Sequence, residues 1–167
     1  MRPEGLVSGG SLVDFVVVDQ YEMGTALSMS IIIGRVPFSR HFLEARLRLK
    51  DPNSDSLLVI EADANLFEIT RGDLVLVDRE QKDLGRDATY LLDLPGIVLR
   101  AVTRRVGDKV RVIGPDNEAG SSSGRSRRAG RSVPLRVEEV RRSALLGAGR
   151  FEVSKVVGRA VWIGRAI

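Results

Sequence analysis

The chain has 167 residues, 43% of them apolar and 5% aromatic, with a formal net charge of +4; this suits one domain with enough apolar residues for a core and too few rings for a stacking platform on single-stranded nucleic acid. It has no cysteine and a single histidine, His41, which excludes disulfides, thiolate metal sites, a Cys nucleophile and a Ser-His-Asp triad, and no metal or cofactor is expected. No apolar run approaches a membrane span and the N-terminal MRPEGLVSGGS lacks a signal-peptide core, so a cytoplasmic protein away from membranes is expected.

The elements follow in chain order. Residues 1–15 read as a flexible linker, and residues 16–167 as the folded domain. Phe15-Val16-Val17-Val18 is strand-like, and so is Ser28 to Ile33 after a break at Met23-Gly24. Leu43 to Leu49 has apolar positions that fit one short helix, and Asp51-Pro52-Asn53-Ser54-Asp55 is a turn. Two short apolar runs, Leu57 to Ile60 and Leu74 to Val77, have the length and composition of buried strands, separated by a polar turn that closes at Gly72-Asp73. Thr89 to Asp93 and Pro95-Gly96 predict a hairpin arm and its turn, followed by strands at Ile97 to Val102 and Lys109 to Ile113. The segment at about 118–134 is rich in Gly, Ser and Arg and cannot bury enough apolar surface to offset ordering entropy, so it reads as a disordered insertion. It makes the charge uneven: residues 1–117 carry 15 basic against 18 acidic residues, and residues 118–167 carry 11 against 4. Non-specific contact of these arginines with DNA phosphates and a plain solvated loop are both open. Val133 to Leu146 fits a surface helix or a return strand, with Gly147 as its stop, and Val153 to Ile163 supplies the last strand. The sum is a mainly β domain with one or two short helices.

The segment from Leu57 to Arg79 resembles the nucleophile turn of the LexA/CI-type Ser/Lys self-cleaving peptidases, G-D-S-M-x-P-T-I-x-x-G-D-x-V-x-V-D. Laid on that pattern without gaps, Asp63 matches the Asp, Ala64 the Ser and Asn65 the Met, while Ile69, Gly72, Asp73, Val75, Val77 and Asp78 match the rest. Ala62 replaces the Gly, and Phe67-Glu68 replaces Pro-Thr. The strand from Gly96 to Val102, followed by the basic turn at Arg104-Arg105, is similar to the family's lysine strand and puts Arg100 at the Lys position. The ending Val156 to Arg165 looks like the closing I-x-G-R-V-x-W-x-G-R strand of phage-type repressors. The resemblance implies a LexA-like C-terminal domain of twisted antiparallel sheets, and it places a cleavage-site-like bond at Met23-Gly24. It also implies homodimers through the C-terminal strand, which makes Ala160, Val161, Trp162 and Ile163 the interface candidates.

The chemistry of the two dyad positions decides what such a site can do. A Ser hydroxyl attacks a peptide carbonyl when a neighbouring base takes its proton, and a desolvated neutral Lys serves. Ala64 has no oxygen, and the guanidinium of Arg100 stays protonated. Proteolysis by this site is therefore not expected, although Ser to Ala is also the change an experimenter makes to freeze such an enzyme. Lys50, Lys82, Lys109 and Lys155 are the only lysines, and none falls at the required place.

Three functions fit. The first is a catalytically inactive dimerisation and regulatory domain of a transcriptional regulator, which would meet DNA through a helix-turn-helix that residues 1–15 cannot form. The second is a self-cleaving repressor domain of the SOS response captured as a Ser-to-Ala variant, triggered in the family by a recombinase filament. The third is a stand-alone accessory subunit resembling the cleaved partner of error-prone polymerases.

Overall fold

A computed structural model describes residues 14–115, 135–147 and 154–165. Most of the expected linker and the whole of the Arg-rich insertion at 118–134 lie outside them. The protein is mainly β: among the described residues nine strands form one sheet in the order β2-β1-β3-β4-β9-β5-β6-β7-β8. They are β1 (Phe15–Tyr21), β2 (Ile32–Ser39), β3 (Leu57–Glu61), β4 (Leu74–Asp78), β5 (Ala88–Asp93), β6 (Ile97–Arg104), β7 (Lys109–Pro115), β8 (Leu135–Arg141) and β9 (Val156–Gly164). Every pairing is antiparallel except β1 with β3, which run parallel at Gln20–Val59 and Tyr21–Ile60. Among the described residues, no helix is long and apolar enough to cross a membrane.

The central strands form where apolar residues are covered on their faces, whereas β2 and β8 at the sheet edges are largely exposed. β3 and β4 are continuous apolar runs because both of their faces are covered, one by a central core cluster and the other by a cluster under β1 and β2. β6 instead alternates: Ile97, Leu99 and Ala101 join the central cluster, while Val98 and Val102 pack into a third cluster with Val110, Val112 and Leu145. β9 joins the two halves of the sheet, giving Val156 to Arg159 to β5 and Arg159 to Gly164 to β4. The crossing point is Gly158, where a Cβ would stand 2.4 Å from the Asp78 carbonyl oxygen. Only glycine lets the two backbones come that close.

Three segments differ from the sequence-based expectation. The strand expected over Ser28 to Ile33 begins only at Ile32, because Leu27–Met29 forms a 3-10 turn closed by the Met29 N–H on the Ala26 carbonyl and the Ser30 N–H on the Leu27 carbonyl. The expected helix at 43–49 is one π-helical turn, Phe42–Arg46, stopped where Arg48 (φ 57°) and Asp51 (φ 45°) turn left-handed. Its wide winding lets Leu43 and Leu49 both reach the same cluster. The ambiguous stretch before Gly147 is strand and helix in succession: β8 runs to Arg141, and a short helix α1 (Arg142–Leu146) ends at Gly147 with φ +72°. The folded part also begins earlier than residue 16. Phe15 is already in β1, and Asp14 takes the Arg40 backbone N–H at 2.8 Å and its guanidinium at 2.9 Å.

Candidate functional site

The turn between β3 and β4 is closed at its base by two backbone hydrogen bonds. The Ala62 N–H donates to the Asp73 carbonyl and the Gly72 N–H to the Ala62 carbonyl, both at 2.8 Å. Gly72 adopts φ +93°, which a side chain would strain. Asp73, 2% exposed, accepts the Thr70 N–H at 2.8 Å and the Arg165 Nε at 3.2 Å. The Thr70 hydrogen bond first, and Arg165 second, hold its carboxyl below the usual range. Asn65 accepts the Arg71 N–H at 2.9 Å through its side-chain oxygen. At the tip, Leu66 and Ile69 exchange hydrogen bonds at 2.9 Å and insert into the central core, pinning the turn from below. Between them Phe67 is 61% exposed at φ +52°, an uncommon conformation for an aromatic residue.

Ala64 sits half-buried in this turn, and Asp63 beside it is exposed. Met23 lines the same shallow depression as Ala62, Asp63 and Arg71, with its side chain against the central core. The next residues are tied down like a short added strand on β6. The Gly24 N–H donates to the Ile97 carbonyl at 3.1 Å, and the Ile97 N–H donates to the Thr25 carbonyl at 3.0 Å. The Leu27 N–H reaches the Asp93 carboxylate at 3.2 Å. Gly24 does form a bend, at φ +84°, and it also crosses Gly96, where a Cβ would stand 2.5 Å from the Gly24 carbonyl oxygen. The cleavage-site-like bond and the nucleophile-like turn are therefore adjacent.

Arg100 is elsewhere. Face alternation along β6 gives Leu99 and Ala101 to the core beneath the turn, and it turns Arg100 to the other side. There the guanidinium lies over Gly114 of β7, where a Cβ would overlap its Nε, and it donates to the Leu99 carbonyl at 2.7 Å. Burial lowers its pKa, and the fields of Asp63 and Glu138 act in the opposite direction. Asp63 is thus felt by Arg100 through space without sharing its face. The β6 residues packed beneath the turn, Ile97, Leu99 and Ala101, are apolar and carry no base.

The interface candidates occupy the second half of β9, where all four are half-buried. Trp162 packs edge-on against Phe38 and Phe42, with ring centroids 5.3 and 6.3 Å away. Val161 is the extra residue of a bulge, since Leu76 faces Trp162 and Val77 faces Ala160. All four line a groove together with Glu68, Ile69 and Thr89.

Sequence reasoning did not find three supports of this site: Asp93 and Gly96, which seat the Met23-Gly24 segment, and Arg165, which holds Asp73. Pro95-Gly96 signalled a turn, but only the fold shows a second chain segment crossing it. Fold and site together describe a mainly β domain that holds one of its own segments against a closed polar turn. Compared with known protein families and with curated proteins, the chain matches none.

Proposed function

We propose that this chain is a LexA/CI-like regulatory domain that has lost peptidase chemistry and retains its self-substrate segment as a fixed structural element. One observation carries the proposal: Met23 lines the same depression as Asp63, one residue from Ala64, and the Gly24 and Thr25 that follow it are hydrogen-bonded onto β6. A self-cleaving domain needs one of its own segments beside the turn, and this arrangement supplies it. The turn then has a segment to act on, no hydroxyl at 64, and no base on the facing side of β6.

In this account the domain works by assembly. A second copy docks in the groove along the second half of β9, and the resulting homodimer, in the cytoplasm, serves a transcriptional regulator whose DNA-binding part is a separate helix-turn-helix. The alternative of a self-cleaving switch inactivated by Ser to Ala draws on the same docked segment, and one variant separates the two. Ala64→Ser, incubated for days at raised pH and weighed intact, keeps the full mass if the domain is a pseudo-peptidase. Fragments split at Met23-Gly24 would return it to the self-cleaving class. Sedimentation equilibrium tests assembly: a mass twice the 18.3 kDa of the chain is expected, and a monomer at high micromolar concentration would overturn that part.

A further inference from the structure

The face of β6 turned away from the polar turn carries a second site. Its wall is the row Arg100, Gly114 and Arg136, with Arg136 opposite Gly114 in the β7–β8 register. Above the row is a cavity of about 540 Å³, roofed by Ala144 and Leu145 of α1 and by Lys155. The roof is fixed in place: the Lys155 N–H donates to the Leu145 carbonyl at 2.7 Å, and the Lys155 carbonyl accepts the Asp93 N–H at 2.8 Å. Val98, Val112 and Val140 make the rest of the wall apolar. The volume lies within the roughly 300–1,000 Å³ typical of small-molecule sites.

The charges in this cavity are uneven in a way that defines a ligand. Arg136 and Glu138 pair with each other at 2.9 Å near the opening. Arg100 is half-buried among apolar side chains, and its one hydrogen bond among the described residues goes to the carbonyl of its neighbour Leu99. A desolvated cation in that position is stabilised by an anion that brings its own acceptor oxygens. The glycine at 114 points the same way, because any side chain there would collide with the guanidinium and displace it from the cavity.

We infer that this cavity binds a small organic carboxylate with an apolar body, its carboxylate on Arg100 and its hydrocarbon against Val98, Val112 and Val140. The planar guanidinium offers two parallel N–H donors, which match a carboxylate in bidentate fashion. Lys155 at the rim adds positive potential without closing on the ligand. A phosphate fits less well, since it would leave the apolar walls of Val98, Val112 and Val140 without a partner. Bound there, the ligand sits on the strand whose edge at Ile97 holds Gly24 and Thr25, so the domain gains a place where a metabolite could be sensed.

The test uses the full chain with decanoate, decanol and inorganic phosphate, followed by titration calorimetry and by chemical-shift changes around Val98 and Val140. Saturable one-to-one binding of decanoate is expected, with decanol and phosphate each at least tenfold weaker. Arg100→Gln removes the charge and should weaken decanoate by about ten- to a hundredfold. Val140→Phe fills the opposite wall without touching the charges and should abolish binding in folded protein, which keeps the test decisive if Arg100→Gln does not fold. Absence of saturable decanoate binding at millimolar concentration, phosphate binding as well as decanoate, or unchanged affinity in either folded variant would overturn the inference.

Discussion

The two faces of β6 show what a strand's neighbours make of its sequence. Toward the polar turn, Ile97, Leu99 and Ala101 are buried in the central core with Ala62, Leu66 and Ile69, and that face holds the turn without offering it chemistry. On the other face Arg100 lies half-buried in a cavity over Gly114, with no carboxylate closing on it among the described residues. One face is packing and the other is a place for a ligand, though their residues alternate one by one along the chain. Side chains of a strand repeat every two residues, so a shift of one position in a motif alignment moves a residue to the opposite surface.

The largest effects should separate the two faces by stability. Leu99→Ala opens a cavity beneath the turn and should cost about 2–4 kcal/mol in urea unfolding. Arg100→Leu replaces a poorly partnered cation with an apolar side chain and should stay within about 1 kcal/mol of the parent. Equal losses would erase the distinction.

A smaller effect tests how the Met23-Gly24 segment is seated. Gly96→Ala puts a Cβ into the Gly24 carbonyl and imposes φ +88° on alanine. A loss of about 1–3 kcal/mol is expected, together with faster chymotrypsin cutting at Tyr21, Met23 and Leu27. Stability lost with unchanged cutting would mean that the segment is held by something other than β6.

The smallest effect is on the base of the turn and depends on pH. The Asp73 carboxyl has a lower pKa folded than unfolded, because it accepts the Thr70 N–H and pairs with Arg165. Its contribution is therefore fully present above the unfolded value of about 4 and is lost as pH falls through the folded value. Asp73→Asn should flatten the acid limb of a stability-against-pH curve while leaving its shape above pH 6 unchanged; an identical acid limb would remove Asp73 from the account.

Much of the fold was legible in the sequence, for reasons that differ by element. β3 and β4 were readable because a short apolar run between turn residues has few other structures open to it. The hairpin of β5 and β6 was readable from Pro95-Gly96. The π-helical turn at Phe42–Arg46 was not, since it follows from Leu43 and Leu49 both being drawn into one cluster, a tertiary demand that local spacing does not carry. The candidate site divides in the same way. The turn and its glycine came from a contiguous motif, and the Met23-Gly24 bond from its distance ahead of that motif. The side taken by Arg100 did not, because it depends on which core claims Leu99 and Ala101. The ties from Asp93 and Arg165 join residues 66 and 92 positions apart, and the sequence gives no local sign of them.

The most direct measurement is the intact mass of the double variant Ala64→Ser, Arg100→Lys after prolonged incubation at raised pH. It supplies a hydroxyl on the turn and a lysine at the position that a linear match assigns to the base. Because that position faces the cavity, the mass should stay whole in folded protein. Fragments split between Met23 and Gly24 would show that residue 100 does reach the turn, and the two-faced account of β6 would be wrong.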